Sequence, residues 1–158
     1  ALVETVSNLH ERGAVHAGID PRHVVYPTET RRPHLDNVGL LDVYRRYADP
    51  AILLDPRYAP PEYFDDRYGV VDRTTDVYAL GAVLYRLLTG EPPHEGDPAA
   101  VREAVLTEPF PRPSSAVAVP DAVDRVVARA TATDKFERYE SAASLGRDLR
   151  NLREVVED

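Results

Sequence analysis

The sequence predicts a mainly α-helical domain with one small β-hairpin near residues 24–36. The stretch Thr74–Leu88 is apolar nearly all round and stops at Gly90, as a helix buried on every side does. Three helix-opening signals follow it, at Asp97-Pro98, Pro120-Asp121 and Ser141, and the last two lead into apolar residues at helical spacing. Val24-Val25-Tyr26 is a short β-branched run followed by the polar turn Pro27–Pro33.

From the N-terminal side, Leu2, Val6 and Leu9 fall at helical spacing, and Gly13 ends that helix. A loop runs from His16 to His23, the first strand follows, and a second strand lies near His34–Asp36. Residues 40–61 are rich in Tyr, Asp and Pro without clean periodicity, which predicts a long ordered loop of the kind that often carries function. After the buried helix, Asp97 serves as N-cap with Pro98 in the first turn of a helix over 98–107. Pro109–Pro120 reads as a connector. The next helix carries Val123, Val126, Val127 and Ala130, and the last sets Leu145, Leu149, Leu152 and Val156 on one face. There are no internal repeats and no low-complexity segments.

Composition narrows the function classes. A chain of 158 residues is long enough for one modest core. It contains no methionine and is read as a piece of a longer protein. The absence of cysteine excludes disulfides, thiolate metal sites and a cysteine nucleophile. No run reaches the ~20 apolar residues of a membrane span. A net charge of -8 argues against nucleic-acid partners, which need a basic footprint. Lys135 is the only lysine, every other cation is arginine, and Asp, Ala and Val abound. This balance suggests a salt-adapted, haloarchaeal-type cytoplasmic protein whose carboxylate-rich surface stays hydrated where salt screens charge. An acidic protein from a GC-rich genome is the other reading. His10, His16, His23 and His34 match no zinc spacing, so no metal site is expected from them.

Several segments carry a pattern in a fixed order. Leu9–His16 reads Leu-His-Glu-Arg-Gly-Ala-Val-His and continues as His-Ala-Gly-Ile-Asp-Pro-Arg-His to His23. Asn37-Val38-Gly39-Leu40, Tyr58-Ala59-Pro60-Pro61-Glu62, Asp76-Val77-Tyr78-Ala79-Leu80-Gly81, Leu87–Pro93 and Asp134–Ser141 follow. In order and spacing these resemble the large, C-terminal lobe of the eukaryotic-type Ser/Thr protein kinases. The matching family segments are H-R-D-x-K-P-x-N, D-F-G-L, A-P-E, D-V-W-S-L-G with the end of its helix, and D-P-x-x-R-x-x-S.

The resemblance implies a kinase-like fold, C-terminal lobe only, over residues 1–158, with the N-terminal lobe outside the chain. It implies structural roles for five residues. Glu62 pairs with Arg138 and fastens the activation segment to the helical base. Asp76 receives backbone N–H groups from the catalytic loop. His16 packs beneath the site, and Gly81 belongs to the buried helix. The family's chemistry needs a base, a cation near the transferring phosphate, and magnesium ligands. Here Gly18 replaces the catalytic aspartate and Asp20 the loop lysine. His23 replaces the magnesium-binding asparagine and Asn37 the magnesium-binding aspartate, leaving His23 and Asn37 as the candidates for any cofactor contact. An amide and an imidazole are poor partners for a cation that prefers carboxylates. Asp55 stands where Ser/Thr kinases bridge lysine and aspartate with a threonine. Asp20 and Asp36 are the possible substitutes for the lost carboxylates, although Asp36, next to Asn37 on a strand, is expected to face away. Between Asn37 and Glu62 there is no serine or threonine, only Tyr44, Tyr47 and Tyr58 among hydroxyl residues. Ala17 replaces the arginine that would receive an activating phosphate.

Three readings follow: a pseudokinase-like module that binds or regulates a protein partner, an active Ser/Thr kinase with unusual residues, or a structural and scaffolding unit of a larger protein. ATP and magnesium enter only under the second.

Overall fold

The computed structural model describes residues 1–29, 32–38 and 54–157. Helix α1 (Leu2–Glu11) buries Val6 and ends before Gly13, whose φ of 75° is the left-handed conformation a glycine adopts without penalty. Strands β1 (Val24–Val25) and β2 (His34–Leu35) pair antiparallel, Val24 opposite Leu35 and Val25 opposite His34. The expected hairpin is there, two residues to a strand.

Helix α2 (Arg73–Thr89) runs one residue further at each end than its apolar stretch. The extension comes from its caps. The Asp72 side chain accepts the Thr74 amide while Thr75 Oγ1 accepts the Asp72 amide, and Gly90 closes the other end in the left-handed conformation. Thr75 to Val83 are all buried. Helix α3 (Pro98–Thr107) starts on Asp97, whose carboxylate accepts the Ala99 and Ala100 amides. Helices α4 (Asp121–Ala130) and α5 (Ala142–Glu157) complete the base. The connector is pinned at Phe110, which meets Tyr78, Tyr85 and His94 edge to face at 5.7–5.8 Å.

The core gathers Val6, Ile19, Val77, Leu80, Val83, Val126, Tyr139 and Leu145 from α1, α2, α4, α5, the loop before β1 and the segment before α5. At Gly81 α2 packs closely on the end of α4: a Cβ there would lie 2.8 Å from Ala130 Cβ and 2.7 Å from Thr131 Cγ2. The hairpin side is different, with Val25, Tyr26 and Val38 exposed. Gly39, Leu40, Tyr44, Tyr47 and most of the predicted 40–61 loop lie outside the described residues, as does the side chain of Val156. Among the described residues, no helix is long and apolar enough to cross a membrane.

Candidate functional site

The site is built on α2. Asp76, fully buried in its first turn, accepts the His16 amide with one carboxylate oxygen and the Ala17 amide with the other, both at 2.8 Å. His10 Nε2 adds a third bond to Asp76, also 2.8 Å. His10 ties α1 to the carboxylate, and the two amides fix loop 16–23 against the helix. They also hold Ala17 at φ 64°, a conformation that costs a residue with a Cβ about 1–2 kcal/mol. From the other side, Tyr63 donates its hydroxyl to the Ala17 carbonyl.

A second anchor holds the segment that follows residue 54. The Arg138 guanidinium makes a bidentate pair with Glu62, at 2.7 and 2.8 Å, with both side chains fully buried. Thr75 donates to Glu62, and Arg138 reaches the carbonyls of Ala132 and Thr74. Tyr78 lies under the guanidinium, its ring 5.0 Å away, and burial pushes its hydroxyl pKa far up.

Loop 16–23 and the segment after residue 54 meet at Asp20 and Asp55, which form the floor of the site. Gly18 is buried, and its carbonyl accepts His23 Nδ1 at 2.9 Å. Asp20 is fully buried and heads the short turn Pro21–His23. Its oxygens take the Arg22 amide at 2.7 Å, Arg22 Nε at 3.2 and 3.3 Å, Arg22 Nη2 at 2.7 Å and the Asp55 amide at 3.3 Å. Any swing of Asp20 toward Gly18 would break these bonds. Asp55 repeats the arrangement at the turn Pro56–Tyr58, accepting the Arg57 amide at 3.1 Å, Nε at 2.9 Å and Nη2 at 2.7 Å. Burial pushes the Asp55 carboxyl up, but the bonds and charge of Arg57 outweigh it and hold the group below its ordinary value.

Asn37 is exposed and left-handed, φ 56°, a conformation Asn tolerates better than most residues. Asp36 is exposed too, and its carbonyl accepts His16 Nε2 at 2.8 Å. That bond leaves His16 Nδ1 buried without a partner, and burial lowers the pKa of the ring although Asp76 opposes it. These groups do not fit magnesium. Asn37 offers an amide, His23 spends Nδ1 as a donor, and Asp20 is saturated by nitrogen donors. No cluster of three or more metal-ligating side chains occurs among the described residues.

The chain is 29% identical over 160 residues to the serine/threonine-protein kinase PrkC of Bacillus subtilis, covering 94% of this chain and 23% of the relative. It is 32% identical over 155 residues to PknB of Mycolicibacterium smegmatis, covering 92% and 24%. It is 36% identical over 144 residues to the DNA damage-responsive kinase RqkA of Deinococcus radiodurans, covering 87% and 21%. The crystal structure of the Mycobacterium tuberculosis PknI kinase domain, a double mutant, superposes with a TM-score of 0.69 at 25% identity, over 96% of this chain and 52% of that one. The chain has a protein-kinase fold, as a C-terminal lobe only, and its relatives are serine/threonine protein kinases. It spans about a quarter of the length of these curated kinases. No protein-family profile matches it.

In this kinase lobe the structure links Gly18 to His23 and Asp20 to Asp55 by hydrogen bonds, and buries Glu62, Asp76 and Arg138 on and against the first turn of α2. The sequence reading missed Arg22, Arg57 and His10 as partners of these carboxylates. A signal for the first two was available: Asp-Pro-Arg occurs at 20–22 and again at 55–57, and an Asp before Pro is a strong turn and N-cap pattern. His10 offers no such signal, because its partner lies 66 residues away.

Proposed function

We propose that this chain is the C-terminal lobe of a catalytically impaired protein kinase, a pseudokinase that acts as a protein-interaction or regulatory module in a signalling protein, with its small lobe carried by chain outside this stretch. The observation that carries this reading is Gly18. At the position of the family's base there is no side chain, and the nearest carboxylate in the loop, Asp20, is buried and bonded to Arg22 and the Asp55 amide. Asn37 in place of a magnesium-binding aspartate points the same way. The partner would dock on the face made by the segment after residue 54 and by α3.

The test is a thermal shift of the full-length protein in high salt, with and without ATP and magnesium, followed by a γ-phosphate transfer assay. A ligand at 100 times its dissociation constant adds about 2.7 kcal/mol, which a melting curve resolves. The expected result is no magnesium-dependent shift and no transfer. Magnesium-dependent incorporation of phosphate into protein would favour the active-kinase reading instead.

A further inference from the structure

The sequence puts Asp-Pro-Arg in the chain twice, and the structure puts both copies at one place. In each, Asp caps a short turn, Pro opens it, and Arg folds back onto the carboxylate two residues before it, with Nη2 to oxygen distances of 2.7 Å. The first copy does more than close itself. Asp20 also accepts the backbone N–H of Asp55, so the carboxylate of one clasp holds the first residue of the other across 35 positions of sequence. Tyr63 to the Ala17 carbonyl is a second tie between the same two segments.

The four charged groups sum to zero. A loop lysine is a bare cation that an anionic ligand would complete. In Asp20, by contrast, the fixed charge is already matched by Arg22, and Oδ2, the oxygen that binds Arg22 Nη2, also accepts the amide of Asp55 in the neighbouring segment. The floor is complete without a ligand.

We infer that the two Asp-Pro-Arg clasps lock loop 16–23 to the segment beginning at Leu54, so that this segment is held in place with no nucleotide, metal or phosphate. Arg22 and Arg57 are positioning residues that act through the two carboxylates. The inference concerns how the proposed docking face is regulated and rests on that reading only for its purpose; the lock itself stands apart from it.

Amide hydrogen exchange at Asp55 in the full-length protein tests the lock. In the wild type the amide is expected to be protected without ligand, and to change less than about twofold when ATP and magnesium are added. Asp20→Asn and Arg22→Gln each speed its exchange about tenfold, the scale of one lost charge-assisted bond. Arg22→Lys keeps the charge without the planar fork and recovers only part of the protection. Arg67→Gln, which opens the similar Asp65–Arg67 pair, bonded to no other segment among the described residues, leaves the Asp55 amide unchanged. If the buried Asp20→Asn variant does not fold, Arg22→Gln decides alone, because the Arg22 side chain is 57% exposed. An unprotected amide in the unliganded wild type, or one indifferent to Arg22→Gln, overturns the lock. Magnesium-dependent phosphate transfer with the amide protected throughout overturns the impaired-kinase reading and supports the lock.

Discussion

Two pairs of buried carboxylates stand close together in this molecule and are neutralised in opposite ways. In the helical base, Glu62 and Asp76 draw their partners from far along the chain: Arg138 is 76 residues from Glu62, and the His16 amide is 60 residues from Asp76. On the cleft floor, Asp20 and Asp55 draw their charged partners from two residues away, and a long-range bond, the Asp55 amide to Asp20, joins the two. A long-range pair exists only once the lobe has folded, and it holds the lobe together. A local clasp depends on little else, so it can keep its shape wherever the loop goes, and it stiffens a surface more than it stabilises a fold. The residues the family uses for architecture therefore sit on long-range bonds. The floor, where its chemistry would be, has been rebuilt from short-range ones.

The comparison can be broken most forcefully at Arg138. Arg138→Ala strands Glu62 as an unpaired buried charge and is expected to cost about 3–5 kcal/mol in urea denaturation. Replacing Glu62 and Arg138 together with Leu and Met should recover much of that loss. An unmoved midpoint in the single variant would remove this pair from the base.

Gly81→Ala attacks the same base through space instead of charge. The new methyl lies within 2.8 Å of two atoms, and neither Ala130 nor Thr131 has a flexible side chain to move aside. An overpacking cost of about 1–3 kcal/mol should appear in thermal melts. Thr131→Ser, which deletes the nearest clashing carbon, should restore part of it.

A pH series sharpens the floor side. Asp55 titrates lower folded than unfolded, so its pairing contributes fully above the ordinary carboxylate value of 3.8 and is lost as the pH falls through the folded value. Wild type and Asp55→Asn should therefore converge in stability as the solution is acidified below about pH 4. Parallel curves would mean the clasp adds nothing. The smallest effect is expected at Arg67→Gln. Its partner Asp65 has a pKa held to about 2 by the same Asp-x-Arg geometry, yet Arg67 is exposed and water screens the pair, so the melting temperature should stay where it is.

These two regions also differ in how far they can be read from the sequence. Every helix of the base announced itself through caps and periodicity, down to Asp97 and Gly90, because those signals are local. The bonds Arg138–Glu62 and Asp76–His16 are not local. Only the resemblance to the kinases, by aligning motifs, suggested them, and no spacing rule would have paired His10 with Asp76. The clasps present the reverse case. Their chemistry lies within three residues, yet comparison with the family led elsewhere, since Asp20 and Asp55 read as charge reversals at catalytic positions. Reading them as turn-formers first would have led to Arg22 and Arg57. That Asp20 is fully buried is a property of the packed loop, and no three-residue pattern contains it.

Lys135 gives this lobe an unusual handle. Its Nζ sits 2.7 Å from the Val70 carbonyl and 2.6 Å from the Asp72 carboxylate, the group that caps α2. It carries the only ε-amine in the stretch. An acylating reagent can therefore modify a lysine at one point only, and it must wait for that point to come free, since the Lys135 side chain is just 10% exposed. The labelling rate is then a clock for this tie to the first turn of the central helix, set by how often Lys135 leaves Val70 and Asp72, and it can be read without engineering the molecule at all.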